Sequence, residues 1–191
     1  MELPEELQGD YDNEIEASKI FSFDLPRFHK EVGTGDMLAL VIRGHIYLEH
    51  VLIQTVMEEM ARPADMEMRR LSFPAKADMG VAMGLIDPEW RPALNRVNEM
   101  RNKMAHRLES TFEDKDKLEL WRMMPKYAQN ICFDEDYAWT ETEAVALSWV
   151  KIISAVVVML ETSRQAIKQR RIRRKYALLN ARHVLREAKR E

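Results

Sequence analysis

The chain holds very little of what builds disulfide-stapled or turn-rich folds. A single cysteine, Cys132, stands among 191 residues. It excludes an internal disulfide framework and any zinc site built from several thiolates. A lone thiol of this kind is expected as a small apolar core residue. Six glycines and seven prolines are too few for the many turns of a sandwich or barrel. No segment sustains the apolar–polar alternation of a half-buried strand. There is no glycine-rich phosphate loop, no Ser-His-Asp pattern and no dinucleotide fingerprint. The opening residues, MELPEELQGD, lack the apolar run of a secretory leader, which predicts a cytoplasmic protein. The one long apolar run, AVALSWVKIISAVVVML at 144–160, is 17 residues long and contains Lys151. A bilayer needs about 20 apolar residues, so a buried bundle helix is expected, with no membrane contact.

What the chain does have is a core's worth of apolar residues, 46%, and a high charged fraction, 32%. The net charge of −3 hides a division. Residues 164–191 carry 11 basic and two acidic side chains, a balance of +9, which leaves −12 for residues 1–163. Such a split speaks about partners rather than fold. Residues 1–16 hold seven acids and no base, a composition expected to stay solvated or disordered. The expected organisation is therefore an acidic disordered start (1–16), a helical bundle (17–163) and a basic helical tail (164–191).

The helical signals are local and physical. Residues Ile15–Val32 predict a short helix interrupted near Pro26, and Gly33-Thr34-Gly35 predicts a break with Asp36 as the next cap. Leu38, Val41, Ile42, Leu48, Leu52, Val56 and Met60 form an apolar stripe over 37–61, ended by Pro63. Ser72 can cap a shorter helix over 73–84. Asp87-Pro88 is a start signal for a helix to His106, with Leu94, Val97, Met100 and Met104 inward. Glu113–Ile131 reads as one more helix, kinked or broken at Pro125. Thr140 with Glu143 makes a capping box for the last and longest helix. Unbroken to Lys189 it would span about 75 Å, so it either projects or folds back near Arg170–Arg174. The fold class is all-α, with four or five core helices in bundle packing.

Chemistry concentrates in LNRVNEMRNKMAHR, 94–107, at the end of a helix. Asn102 and His106 are four apart and share a face; Arg101 lies about 140° from His106 around the axis. Arg grips phosphate oxygens in a fork. His moves protons at neutral pH, and Asn can hold a phosphate oxygen or orient the imidazole. Together they suit cleavage of RNA by its own 2′-hydroxyl, with Arg stabilising the developing charge. That chemistry requires no metal and no cofactor. By spacing alone, an Arg and a His on a helix are ordinary surface residues.

The string RNKMAH, preceded by LNRVNEM, resembles the Arg-Asn-x3-His signature of the HEPN superfamily. GHIYLEHVLIQTV (44–56) is similar to that family's earlier core helix with its Glu, and LSFPAKADMGVAMGLI (71–86) to the short helix before the motif. The layout also resembles the mannitol operon repressor family. The resemblance covers roughly 36–160. It implies a helical bundle, often dimeric, and for many members a metal-independent endoribonuclease or toxin. It makes Arg101 the phosphate-stabilising cation, Asn102 its polar companion and His106 the general acid/base, in a cleft between two protomers. Expected partners are a second copy of the chain, RNA, and a cognate antitoxin or other regulatory protein. The rival expectation is a non-catalytic transcriptional regulator, mannitol-repressor-like, acting through protein contacts.

Three further features invite weighing. His45 and Glu49 share a helix face, but two ligands without a third make a poor metal site. Glu49 could instead pair with Arg101 or orient His106, or be an ordinary surface acid. The scattered Met residues and Trp90, Trp121, Trp139 and Trp149 read as core or interface filling. In the tail, Ile172, Tyr176 and Leu179 mark a modest amphipathic helix, as do Leu178 and Leu185 seven apart. Arg170, Arg171, Arg173, Arg174 and Lys175 lie on its basic perimeter. That perimeter could track RNA phosphates, dock on an acidic subunit or partner, or simply be solvated.

Overall fold

In the computed structural model the described residues are 4–106, 111–131 and 148–188. Among them are eight α-helices and no strand: α1 (Glu5–Ser18), α2 (Leu25–Gly33), α3 (Met37–Glu59), α4 (Phe73–Ala82), α5 (Arg91–His106), α6 (Asp114–Met123), α7 (Lys126–Ile131) and α8 (Trp149–Glu187). Arg107, Cys132, Trp139 and the Thr140/Glu143 box lie outside the described residues. None of the helices is long and apolar enough to cross a membrane. The chain forms two compact units, residues 22–161, and residues 1–21 together with 162–191.

The larger unit is built around α3, which packs against α2, α4 and α5. The Asp36 carboxylate accepts from the Ala39 N–H at 2.8 Å and starts the helix. Gly35 precedes it at φ 141°, in the region that favours glycine. Leu40, Val41, Leu48, Val51, Leu52 and Val56 are all buried along it, each contributing about 1.5–3 kcal/mol of apolar burial. Gly44 lets α8 approach closely: a Cβ there would lie 2.3 Å from Ile153 Cγ2. α5 buries Leu94, Val97, Met100 and Met104, the inward row expected from spacing. Arg96 ties α5 to α6 through Asp116 at 2.8 Å and Glu119 at 2.6 Å. Asp87-Pro88 opens a 3₁₀ turn, Pro88–Trp90, that runs straight into α5. Pro125 splits the expected Glu113–Ile131 helix into α6 and α7, since proline supplies no N–H to continue the ladder.

The smaller unit corrects one expectation and selects between two alternatives for the last helix. Residues 5–18 are helical, not disordered. Their acids hide a sparse stripe: Leu7, Tyr11, Glu14 and Ile15 are half-buried and Ser18 is buried, a helical spacing. And α8 runs unbroken through Arg170–Arg174, so no fold-back occurs there. The segment has no glycine or proline to stop it. α1 lies along the C-terminal part of α8. Tyr11 meets Tyr176 edge-on at 5.3 Å, Gln165 donates to the Lys19 carbonyl at 3.0 Å, and Arg164 donates to the Ile20 carbonyl at 3.1 Å.

Candidate functional site

α5 presents a polar row beside its buried Leu94 and Val97. Asn98, Asn102 and His106 follow at four-residue steps, so they rise along one face of the helix. Asn98 and Asn102 line an open pocket of about 440 Å³, together with Arg101, and with His45 and Glu49 from α3. The start of α4, at Ser72 and Phe73, closes another side. His106 is exposed and stands outside this pocket, one turn past Asn102. It forms no hydrogen bond or ion pair among the described residues.

The Arg101 guanidinium is exposed, and its one hydrogen bond among the described residues goes to the Asn102 side-chain oxygen at 3.0 Å. No carboxylate pairs with it among the described residues. Glu49 faces the same pocket but pairs with Lys76 at 2.5 Å, not with Arg101 or His106 as expected. Lys76 is 2% exposed and Glu49 33%. The reason is burial: Phe73, Lys76, Ala77 and Gly80 form the buried face of α4, and an ammonium there requires a nearby anion.

His45 is buried, in contact with the Phe73 ring at 4.5 Å and within 3.2 Å of the Asn98 side-chain oxygen. Burial holds its imidazole below the usual histidine range, and the Arg101 charge pushes the same way; the Asn98 hydrogen bond and the Glu49 charge oppose this. His45 is thus neutral at neutral pH. No group of three or more metal-ligating side chains occurs among the described residues.

A second open hollow, about 360 Å³, adjoins the first at Glu49 and is lined by Ile46, His50, Ile53, Arg69 and Lys76. His50 donates from Nε2 to the Ser22 carbonyl at 2.9 Å, which fixes its ring.

The basic residues of the tail belong to the other unit. Lys175 is engaged by Glu14 at 2.6 Å, and Tyr176 donates to the same carboxylate at 3.0 Å. The Lys175 hydrogen bond is the main cause holding the Glu14 carboxyl below its ordinary value. Arg170, Arg171, Arg173 and Arg174 are exposed. Of the expected apolar rows, Ile172 and Tyr176 are buried, whereas Leu178 and Leu185 are exposed.

Lys76, Asn98 and Arg69 line the two hollows although they lie outside the Arg101–His106 motif. Lys76 had a signal, a lysine at the i+3 position of an otherwise apolar helix row. Asn98 had one too, four residues before Asn102. Arg69 had none, since it sits in a loop and a 3₁₀ turn. No family model, curated protein or solved structure matches the chain.

Proposed function

We propose that the chain is a metal-independent endoribonuclease of the HEPN kind, toxin-like, working as a homodimer. The observation that supports this most is Arg101: an exposed guanidinium with no carboxylate partner among the described residues, at the mouth of a polar pocket, beside the row Asn98–Asn102–His106. A phosphodiester supplies the missing negative charge in bidentate form. His106 then takes the proton of the ribose 2′-hydroxyl. The 2′-oxygen bonds to phosphorus, the bond to the 5′-oxygen breaks, and that oxygen leaves protonated. The products are a 2′,3′-cyclic phosphate and a 5′-hydroxyl. In a dimer the His106 of one protomer takes the 2′-hydroxyl proton while solvent protonates the departing 5′-oxygen, and the Arg101 of the other protomer stabilises the phosphorane. Asn102 holds the guanidinium in place. The exposed arginines 170, 171, 173 and 174 add sequence-independent attraction for RNA.

The test is RNA cleavage in chelator by wild type, His106→Ala and Arg101→Ala. Wild type should leave cyclic-phosphate ends, with each variant slower by about 10²–10⁴-fold, the range for a lost proton-transfer or charge-stabilising group. Equal rates in wild type and His106→Ala would sink the assignment. Two observations favour a second reading, a non-catalytic regulator acting through protein contacts: His106 stands outside the pocket and Glu49 is already engaged by Lys76. Absence of cleavage by wild type would favour it.

A further inference from the structure

The two hollows on the larger unit have no separate explanation. They meet at Glu49 and are lined by one face of α3, at positions 45, 46, 49, 50, 53 and 54. That stretch is about 14 Å along the helix axis, more than one nucleotide requires. A guanidinium stands at each of them, Arg101 in one and Arg69 in the other. Both are exposed, and neither has a carboxylate partner among the described residues. Arg27, Arg70, Arg91 and Arg96 of the same unit pair with Glu31, Glu67, Asp78 and Asp116, and Arg62, also exposed, lines neither hollow.

We propose that the joined hollows form a track for single-stranded RNA, in which Arg69 holds the phosphate next to the one held by Arg101. The inference rests on the nuclease reading and extends it to a substrate class. Between the two cations the floor is neutral, because Lys76 cancels the charge of Glu49. A bare carboxylate there would repel the backbone. A neutralised one still has lone pairs to accept a hydrogen bond from a ribose 2′-hydroxyl, the group by which RNA differs from DNA. The exposed face of Ile46 (57%) and the fixed ring of His50 supply apolar and π surface for bases. An A-form duplex would keep its bases paired and out of reach, so the track selects unpaired strands.

The experiment measures binding of a fluorescent single-stranded hexaribonucleotide by anisotropy across a salt series. It uses full-length His106→Ala, so that bound RNA stays intact, and adds Arg69→Ala, Arg101→Ala or Lys30→Ala. Each phosphate contact to a single strand contributes about 0.7 to the slope of log K against log salt. Arg69→Ala and Arg101→Ala should each reduce that slope by about 0.7 and weaken binding several-fold, while Lys30→Ala, on α2, changes neither. The same sequence as DNA should bind more weakly, and the difference should shrink in Glu49→Gln. An unchanged slope in Arg69→Ala overturns the track, as does equal binding of RNA and DNA. These outcomes are independent of catalysis. The expected slopes with no cleavage by wild type would leave the track standing and remove the nuclease. Cleavage with an unchanged Arg69→Ala slope would do the reverse.

Discussion

Glu49 and Lys76 share one ion pair but are not equal partners in it. Lys76 is 2% exposed, whereas Glu49 is 33% exposed and borders two open hollows. Removing Glu49 therefore strands a buried charge, and removing Lys76 leaves a carboxylate that water can reach. Glu49→Ala should cost about 1–3 kcal/mol, below the full buried-pair figure because one end is wet. Lys76→Met keeps the volume and removes the charge, so it should cost less than Glu49→Ala. Urea denaturation of the two variants checks the order, and a Lys76→Met protein less stable than Glu49→Ala would contradict it. The same asymmetry explains why Glu49 was hard to interpret from sequence. Its position on the polar face of α3 is legible, but its partner sits on α4, 27 residues away, and no spacing rule reaches across a loop. Arg101, Asn102 and His106 were legible as a local string. That Asn98 extends their row follows from the same helical period. That Arg101 lacks an acid partner in the described residues is a fact of tertiary structure alone.

At the scale of elements, the tightest constraint is the crossing of α3 and α8 at Gly44. A methyl group there would sit 2.3 Å from the Ile153 side chain, so the two helices must separate or Ile153 must leave its rotamer. Gly44→Ala should destabilise the protein by about 1–3 kcal/mol, as overpacking does, even though alanine is the better helix former by about 1 kcal/mol. The pair Gly44→Ala with Ile153→Val or Ile153→Ala should recover part of the loss, since room is returned at the same point. Thermal melting of the single and double variants measures it; a Gly44→Ala protein more stable than wild type would refute the crossing. Element starts were the most legible feature of the sequence. Asp36, Ser72 and Asp87 each cap the helix or turn expected of them, because capping is decided within three residues. Element ends and segment order were less so. The acidic segment 5–18 forms α1 because its stripe at Leu7, Tyr11 and Ile15 finds a partner in the residues after 162, and Glu14 finds Lys175. Composition cannot see a partner at the other end of the chain. An unbroken α8 was one of the two alternatives the sequence left open, and the absence of glycine and proline decided for it.

At the scale of the whole molecule, the charge division of −12 and +9 changes meaning once the units are known. The basic residues after 164 lie in one unit with the acidic residues before 17, so part of the positive charge is already answered within the chain. On the proposed reading the arginines exposed at 170, 171, 173 and 174 add to RNA affinity, while specificity and chemistry fall to the larger unit. There the chain alone brings Arg101, Asn102 and Glu49 to one pocket and leaves His106 a turn beyond it. On the proposed reading a second copy closes that gap, by setting its His106 against the Arg101 of the first. This arrangement has a consequence that a single-chain site does not. Arg101→Ala and His106→Ala proteins, each inactive alone, should regain activity when unfolded together and refolded as a mixture. Half of the dimers are then mixed, and each mixed dimer has one site with both wild-type groups and one with neither. With two-fold symmetry, recovery should approach about a quarter of the wild-type rate. If Arg101 and His106 act from the same chain, no mixed dimer holds an intact site. The mixture would then stay as inactive as its parts, and the shared cleft would have to be abandoned.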